Sequence, residues 1–100
     1  MHITWRDDKA RRNKRKHGLD FTSAAAVFAD PLAITLWDQF VDGEERWRTI
    51  GAIVSGRAFR IVVVVHTYPD GDEVDWLQVI SMRDSTRHER RAYETQIRFP

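Results

Sequence analysis

The sequence predicts an α+β fold: an antiparallel sheet of about four to five strands, with two N-terminal helices and one C-terminal helix. Three observations carry this. Helical patterns occupy only the two ends of the chain, on either side of a long β-rich middle. The run Phe59 to Val65, apolar except for Arg60, has the character of a central strand covered on both faces. Turn signals at Asp42-Gly43, Ser55-Gly56 and Pro69-Asp70-Gly71 divide the middle into strand-sized pieces. Nothing marks a domain boundary, a repeat or a low-complexity segment, so residues 1–100 read as a single domain.

The elements follow in order. Ile3-Thr-Trp5 is a short first strand. Asp7 or Asp8 is expected to cap a helix that runs to about His17, where Gly18 supplies a left-handed stop. Its apolar face is poor (Ala10, Asn13, His17), and acids at its start and bases at its end suit the helix dipole. Asp20 is placed as the cap of a second helix, whose Phe21, Ala24, Ala25 and Phe28 fall at i, i+3, i+4 and i+7. Asp30-Pro31 ends it. Four strands are expected next: Leu32 to Trp37, Arg46 to Val54, Ala58 to Thr67 and Val74 to Arg83. In the last, Trp76, Gln78, Ile80 and Met82 alternate with Leu77, Val79 and Ser81. Thr86 and Glu89 then stand at the spacing of a capping box and open the C-terminal helix.

Composition bounds the chemistry. With 100 residues, 42% of them hydrophobic, the chain can bury one thin core, to which four tryptophans contribute large area. The absence of cysteine excludes disulfides and thiolate metal sites. Ile61 to Val65, the longest apolar run, is too short for a bilayer, and the N-terminus lacks a signal-peptide pattern, so a cytoplasmic location is expected. The net charge of +1 hides an uneven distribution. Lys9, Arg11, Arg12, Lys14, Arg15 and Lys16 form one basic block, and Arg83, Arg87, Arg90 and Arg91 a second. Asp20 to Glu45 carries acids and no Lys or Arg. Such a chain can meet a polyanion on one side and a cationic partner on another.

Arg87, Arg90 and Arg91 lie in the first turns of a helix, where the backbone is already positive. Gathering guanidinium groups there suits an anion, of which a phosphate backbone is the commonest. There is no Gly-rich phosphate loop, no nucleophile motif and no short metal-ligand spacing among His2, His17, His66 and His88. An enzyme built from this chain is expected to work without metal or cofactor. Arg, Lys, His, Glu and Tyr suit RNA cleavage by the RNA's own 2′-OH, which needs a base, an acid and cations for the developing charge. Each candidate also has a structural reading. His66 shares a side with Val62 and Val64 and fits a core histidine as well as a proton-transfer group titrating near neutrality. His17 suits a helix C-terminus. Glu44, Glu45 and Arg46 suit a surface ion pair. Tyr93 suits a core aromatic with a wet hydroxyl. Arg83, a charge ending an apolar strand, calls for an anionic partner.

At these residues the chain resembles the BrnT family, the toxin half of a bacterial type II toxin–antitoxin pair. Ile3-Thr-Trp5, Asp7, Lys9, Asn13 and Lys16-His-Gly-Leu-Asp-Phe21 are similar to its opening. Val27-Phe-Ala-Asp-Pro31, Glu44-Glu-Arg46 with Ile50-Gly51, Val64-Val-His-Thr67, Ile80-Ser-Met-Arg83 and Thr86 to Glu94 continue the pattern, and Thr95 to Pro100 fall outside it as a tail. Met82, where a small residue is more usual, and Thr22-Ser23, in place of a more acidic pair, depart from it. The resemblance implies a RelE-like ribonuclease fold and inhibition of translation through RNA cleavage. It also implies a BrnA-like, DNA-binding antitoxin that neutralises the toxin in a hetero-oligomer. It points to His66, Arg83, Arg87, Glu45 and Arg46 as catalytic candidates, and to Lys16, His17, Arg90 and Tyr93 as RNA-binding ones. The alternative is a non-catalytic RNA- or ribosome-binding module that stacks bases on exposed aromatics.

Overall fold

A computed structural model describes residues 1–68 and 76–96. It contains β1 (His2–Trp5), α1 (Asp7–His17), a 3-10 turn (Phe21–Ser23), α2 (Ala24–Ala29), β2 (Ile34–Val41), β3 (Glu44–Ser55), β4 (Ala58–Thr67), β5 (Trp76–Asp84) and α3 (Arg87–Thr95). The architecture is α+β, as expected, but the sheet is mixed. Its order is β1-β5-β4-β3-β2, and β1 pairs in parallel with β5 while every other neighbour is antiparallel. A short strand at the start of a chain has no local turn to set its direction. Its partner, β5, is the strand farthest from it in sequence, so pattern alone could not orient it.

Helices cover both faces of the sheet. On one face, Val62, Val64, Leu77, Val79 and Met82 pack with Leu19, Phe21, Ala24 and Val27. On the other, Val63, Ile61 and Ile50 pack with Tyr93 of α3. β4 is central and its Ile61–Val64 stretch is buried on both sides, as expected, but Phe59, placed in the same buried run, is exposed at the hairpin end of the strand. α2 approaches β3 so closely that a Cβ on Gly51 would lie 2.9 Å from Val27 Cγ1, which explains a glycine inside a central strand.

Several ends differ from expectation. Arg6, not Asp7 or Asp8, is the α1 N-cap, and it makes no side-chain cap bond; the two acids sit in the first turn. Gly18 does close α1, at φ 70° with its N–H on the Lys14 carbonyl. Asp20 caps the 3-10 turn, from which α2 continues. β2 starts later than expected and runs on to Val41, and β3 begins at Glu44. Asp42 and Gly43, both at positive φ, form the two-residue link between them. The next hairpin turns at Gly56-Arg57, one residue beyond Ser55-Gly56. α3 takes in Thr95, which had been assigned to the tail, and residues 97–100 lie outside the described residues. So do the expected turn at Pro69-Asp70-Gly71 and the expected strand start at Val74.

The strict alternation expected in β5 is broken. Val65 pairs with Ser81 but His66 pairs with Val79, so Ile80 is bulged out of register. The bulge turns Met82 onto the same face as Leu77 and Val79, where all three are buried. It also puts Arg83 opposite Val63, on the α3 side of the sheet.

Candidate active site

The register determines which cations meet. Arg48 pairs with Val65 and Arg83 with Val63, and Val63 and Val65 are two apart on β4. Both arginines therefore stand on the α3 face, and Arg46, two residues before Arg48, shares it. The capping box places an anion between Arg48 and Arg83. Thr86 Oγ1 accepts from the Glu89 N–H at 3.2 Å, and Glu89 Oε1 accepts from the Thr86 N–H at 2.9 Å. The same carboxylate accepts from Arg83 Nη1 at 2.7 Å and Nη2 at 3.0 Å, and from Arg48 Nη1 at 2.7 Å. Its side chain is only 2% exposed.

A carboxylate so buried would ordinarily become neutral. The Arg83 bonds, with help from the Thr86 N–H and Arg48, overcome the burial and hold Glu89 well below the usual carboxylate range. Arg83 is correspondingly raised, first by Glu89. The anionic partner that Arg83 required is thus the protein's own Glu89. The anion-favouring start of α3 is filled in the same way.

The face still has a positive surplus. Asp38 lies 3.8 Å from Arg48 Nε, so three arginines face two carboxylates. Bonds to Glu89 and to the Asp84 carbonyl take three of the five N–H groups of Arg83. Arg46 makes no side-chain hydrogen bond or ion pair among the described residues, and its buried Nε has no partner.

A second cationic feature lies along α1. Lys9, Arg12, Lys16 and His17 of α1, with Asn13, line a cleft of about 250 Å³ whose far wall is Ile80 and Ser81. Asn13, buried on the helix face that seemed poor, holds this edge: its Oδ1 accepts from Met82 N–H at 3.1 Å and its Nδ2 donates to the Leu19 carbonyl. Ser81 faces the Arg83 side of the sheet, since the two residues pair with Val65 and Val63. Ser81 of the cleft and Arg83 of the arginine face are thus two residues apart on β5.

The remaining candidates are placed elsewhere. His66 is fully buried on the opposite face, with Nε2 at 2.8 Å from Thr49 Oγ1 and its ring edge-on to Phe28 and Tyr68. Burial pushes its pKa down to about 4, not near neutrality as expected. Glu45 pairs with exposed Phe40 and, being next to Arg46 on β3, points to the opposite face. Tyr93 is buried, and its hydroxyl is not wet: it donates to Asp30 Oδ2 at 2.6 Å. Burial and this bond push the Tyr93 pKa up to about 12. Arg87 and Arg90 are exposed on α3, and neither bonds Glu89 among the described residues; Arg90 lies 4.0 Å from Glu94.

Sequence reasoning missed Arg48 and the structural Asp30, and it named Lys9 and Arg12 only as members of the basic block. The period-2 spacing of Arg46 and Arg48 was a signal for the first. Asp30 looked like a helix stop. Burial raises its pKa, yet bonds from Tyr93 and from the N–H groups of Leu32 and Ala52 lower it further, so it is held below the ordinary value.

No helix among the described residues is long and apolar enough to cross a membrane. Among curated proteins no relative matches the chain. The family model described as the ribonuclease toxin, BrnT, of type II toxin–antitoxin systems matches residues 5–89, a stretch that includes both cationic features and Glu89. The chain belongs to the BrnT family of ribonuclease toxins.

Proposed function

We propose that Arg46, Arg48 and Arg83 form the phosphate-binding face of a metal-independent endoribonuclease, and that the α1 cleft carries the adjoining RNA. Membership of a type II toxin family implies an RNA substrate and an antitoxin partner. The observation that supports the finer reading is the arrangement of three arginines on one sheet face, two of them preset by a buried carboxylate, with a basic cleft reaching Ser81 two residues before Arg83. Guanidinium groups already held in place need not reorganise as charge develops on the phosphate.

In this reading the 2′-oxygen attacks the adjacent phosphorus, the 5′-oxygen leaves, and the products are a 2′,3′-cyclic phosphate and a 5′-hydroxyl. Arginine stabilises the phosphorane but remains protonated, so proton transfer needs another group. His17 lines the cleft beside Ser81, and imidazole is the commonest proton shuttle. We assign it that role ahead of His66, which is sealed in the core, and Glu45, which points to the other face. Lys9, Arg12 and Lys16 neutralise flanking phosphates. Cleavage of messenger RNA by this face is the route to inhibited translation, in a RelE-like fold acting in the cytoplasm.

Arg46→Ala tests the reading, because Arg46 has no carboxylate that its loss would strand. The variant should melt like the parent and cleave a labelled RNA about 10²-fold more slowly. The parent's rate should survive excess EDTA. A folded Arg46→Ala at the parental rate refutes the arginine face. Activity lost in chelator and restored by magnesium refutes the metal-independent mechanism.

A further inference from the structure

The proposed RNA path runs along β5 and the α3 face, whereas the largest exposed apolar side chains of any one strand lie at the other end of the sheet. β2 is an edge strand, paired only with β3. Among the described residues, its Leu36, Trp37 and Phe40 are 37%, 48% and 59% exposed. A register shift between Trp37 and Gln39 brings Trp37 and Phe40 to the same face, and their rings touch edge-on with centroids 5.6 Å apart. Trp47 lies directly across from Trp37 and reaches Tyr68, which extends the aromatic surface inward.

Natural edge strands are usually blunted by lysine, proline or cover. β2 has no lysine or proline within Ile34–Val41 and no strand on its outer side among the described residues, and its register is interrupted at Asp38. The local charge identifies the kind of partner. Asp42, Glu44 and Glu45 flank the aromatic pair, are exposed and make no ion pair among the described residues. From Asp20 to Glu45 the chain carries no Lys, Arg or His. This surface repels a phosphate backbone and favours a cationic one.

We propose that β2 is the docking edge for the antitoxin, which adds, as a sixth strand, an extended segment with apolar residues facing the aromatic pair and basic residues at its end. Its backbone pairs with the outer edge of β2, which no strand among the described residues occupies. Its apolar side chains cover Trp37 and Phe40, and basic side chains where it passes the Asp42 turn meet Glu45 on that face and Glu44 on the other. Trp37 and Phe40 lie on the face opposite Arg46 and Arg48, so covering the aromatic pair does not by itself cover the arginines, although β2 pairs directly with the strand that carries these two; neutralisation requires the rest of the antitoxin to extend across the α3 face. The inference rests on membership of a toxin–antitoxin family and not on the proposed catalytic residues.

The test uses purified toxin and the antitoxin encoded with it. Amide hydrogen exchange of the unmodified toxin should show Ile34–Val41 slowed on complex formation. Trp37→Ser with Phe40→Ser should weaken antitoxin binding about 10²-fold or more, since buried aromatics dominate such interfaces. Glu44→Lys with Glu45→Lys should slow association and flatten its salt dependence. Unchanged exchange in β2 overturns the proposal and does not need the variants to fold. Two further results also overturn it: weakened binding of a single-stranded RNA oligonucleotide in the aromatic variant with antitoxin affinity intact, and toxin self-association that the aromatic variant abolishes. All three are binding measurements, so a failed nuclease mechanism leaves them readable.

Discussion

His66 on one face of the sheet and Glu89 on the other are both buried, and the two faces treat them in opposite ways. His66 is enclosed by Phe28, Tyr68 and Thr49 with no charge beside it, and burial keeps it neutral. Glu89 is equally inaccessible but lies between two guanidinium groups and two capping-box bonds, and it stays charged. Burial alone therefore does not decide which group is available for chemistry. The partner does, because an ion leaves water only if something replaces its hydration. The α2 side is a core that contains a histidine. The α3 side is a charged site that contains a little core.

The most severe way to break this contrast is Glu89→Gln. It keeps the shape but leaves Arg83 and Arg48 facing one another without a charge between them. A loss of about 3 kcal/mol is expected in a urea titration at pH 7. The sign with pH is definite. The folded-state pKa of Glu89 is depressed, so its contribution is complete above the ordinary value of 4.5 and is lost progressively as the solution becomes strongly acidic. Glu89→Gln should flatten that acid limb. Equal stability of parent and variant at pH 7 would mean that the cluster is solvated.

Arg83→Lys tests the same site through its chemistry. It preserves one positive charge and gives up the two-pronged bond to Glu89. Cleavage should fall about 10²-fold, roughly 2.7 kcal/mol in the barrier, with a smaller change in melting temperature. A lysine variant at the parental rate would reduce Arg83 to a counter-ion.

On the other face, His66 offers a smaller effect in a milder pH range. Its folded pKa of about 4 lies below the ordinary 6.5, so the unfolded chain binds more protons in between. Stability should fall by about 2 kcal/mol from pH 7 to pH 4.5. His66→Gln should remove most of that slope, measured by urea titration at the two pH values. RNA cleavage in the variant should keep its pH profile, because the proposed proton shuttle is His17. A lost acid limb in the rate would return His66 to the mechanism.

The smallest expected effect is at the far end of α3. Tyr93→Phe removes one of three donors to Asp30 and should cost about 1 kcal/mol with no change in cleavage. A thermal melt and a cleavage assay on one preparation check both halves. Loss of cleavage without loss of stability would make Tyr93 part of the RNA site.

By itself, the sequence determined what short range can decide. The helix stop at Gly18, the Asp42-Gly43 link, the buried run of β4 and the Thr86–Glu89 capping box each depend on a few neighbouring residues, and each was legible. The family blocks were legible for the same reason, since they are local patterns in a defined order. Only the tertiary structure decided what depends on pairing between distant strands. The parallel direction of β1, the bulge at Ile80, the convergence of Arg48 and Arg83 on Glu89, and the separation of His66 and Glu45 from that cluster all follow from register. A shift of one residue moves a strand side chain to the opposite face, and no local pattern records where that shift occurs.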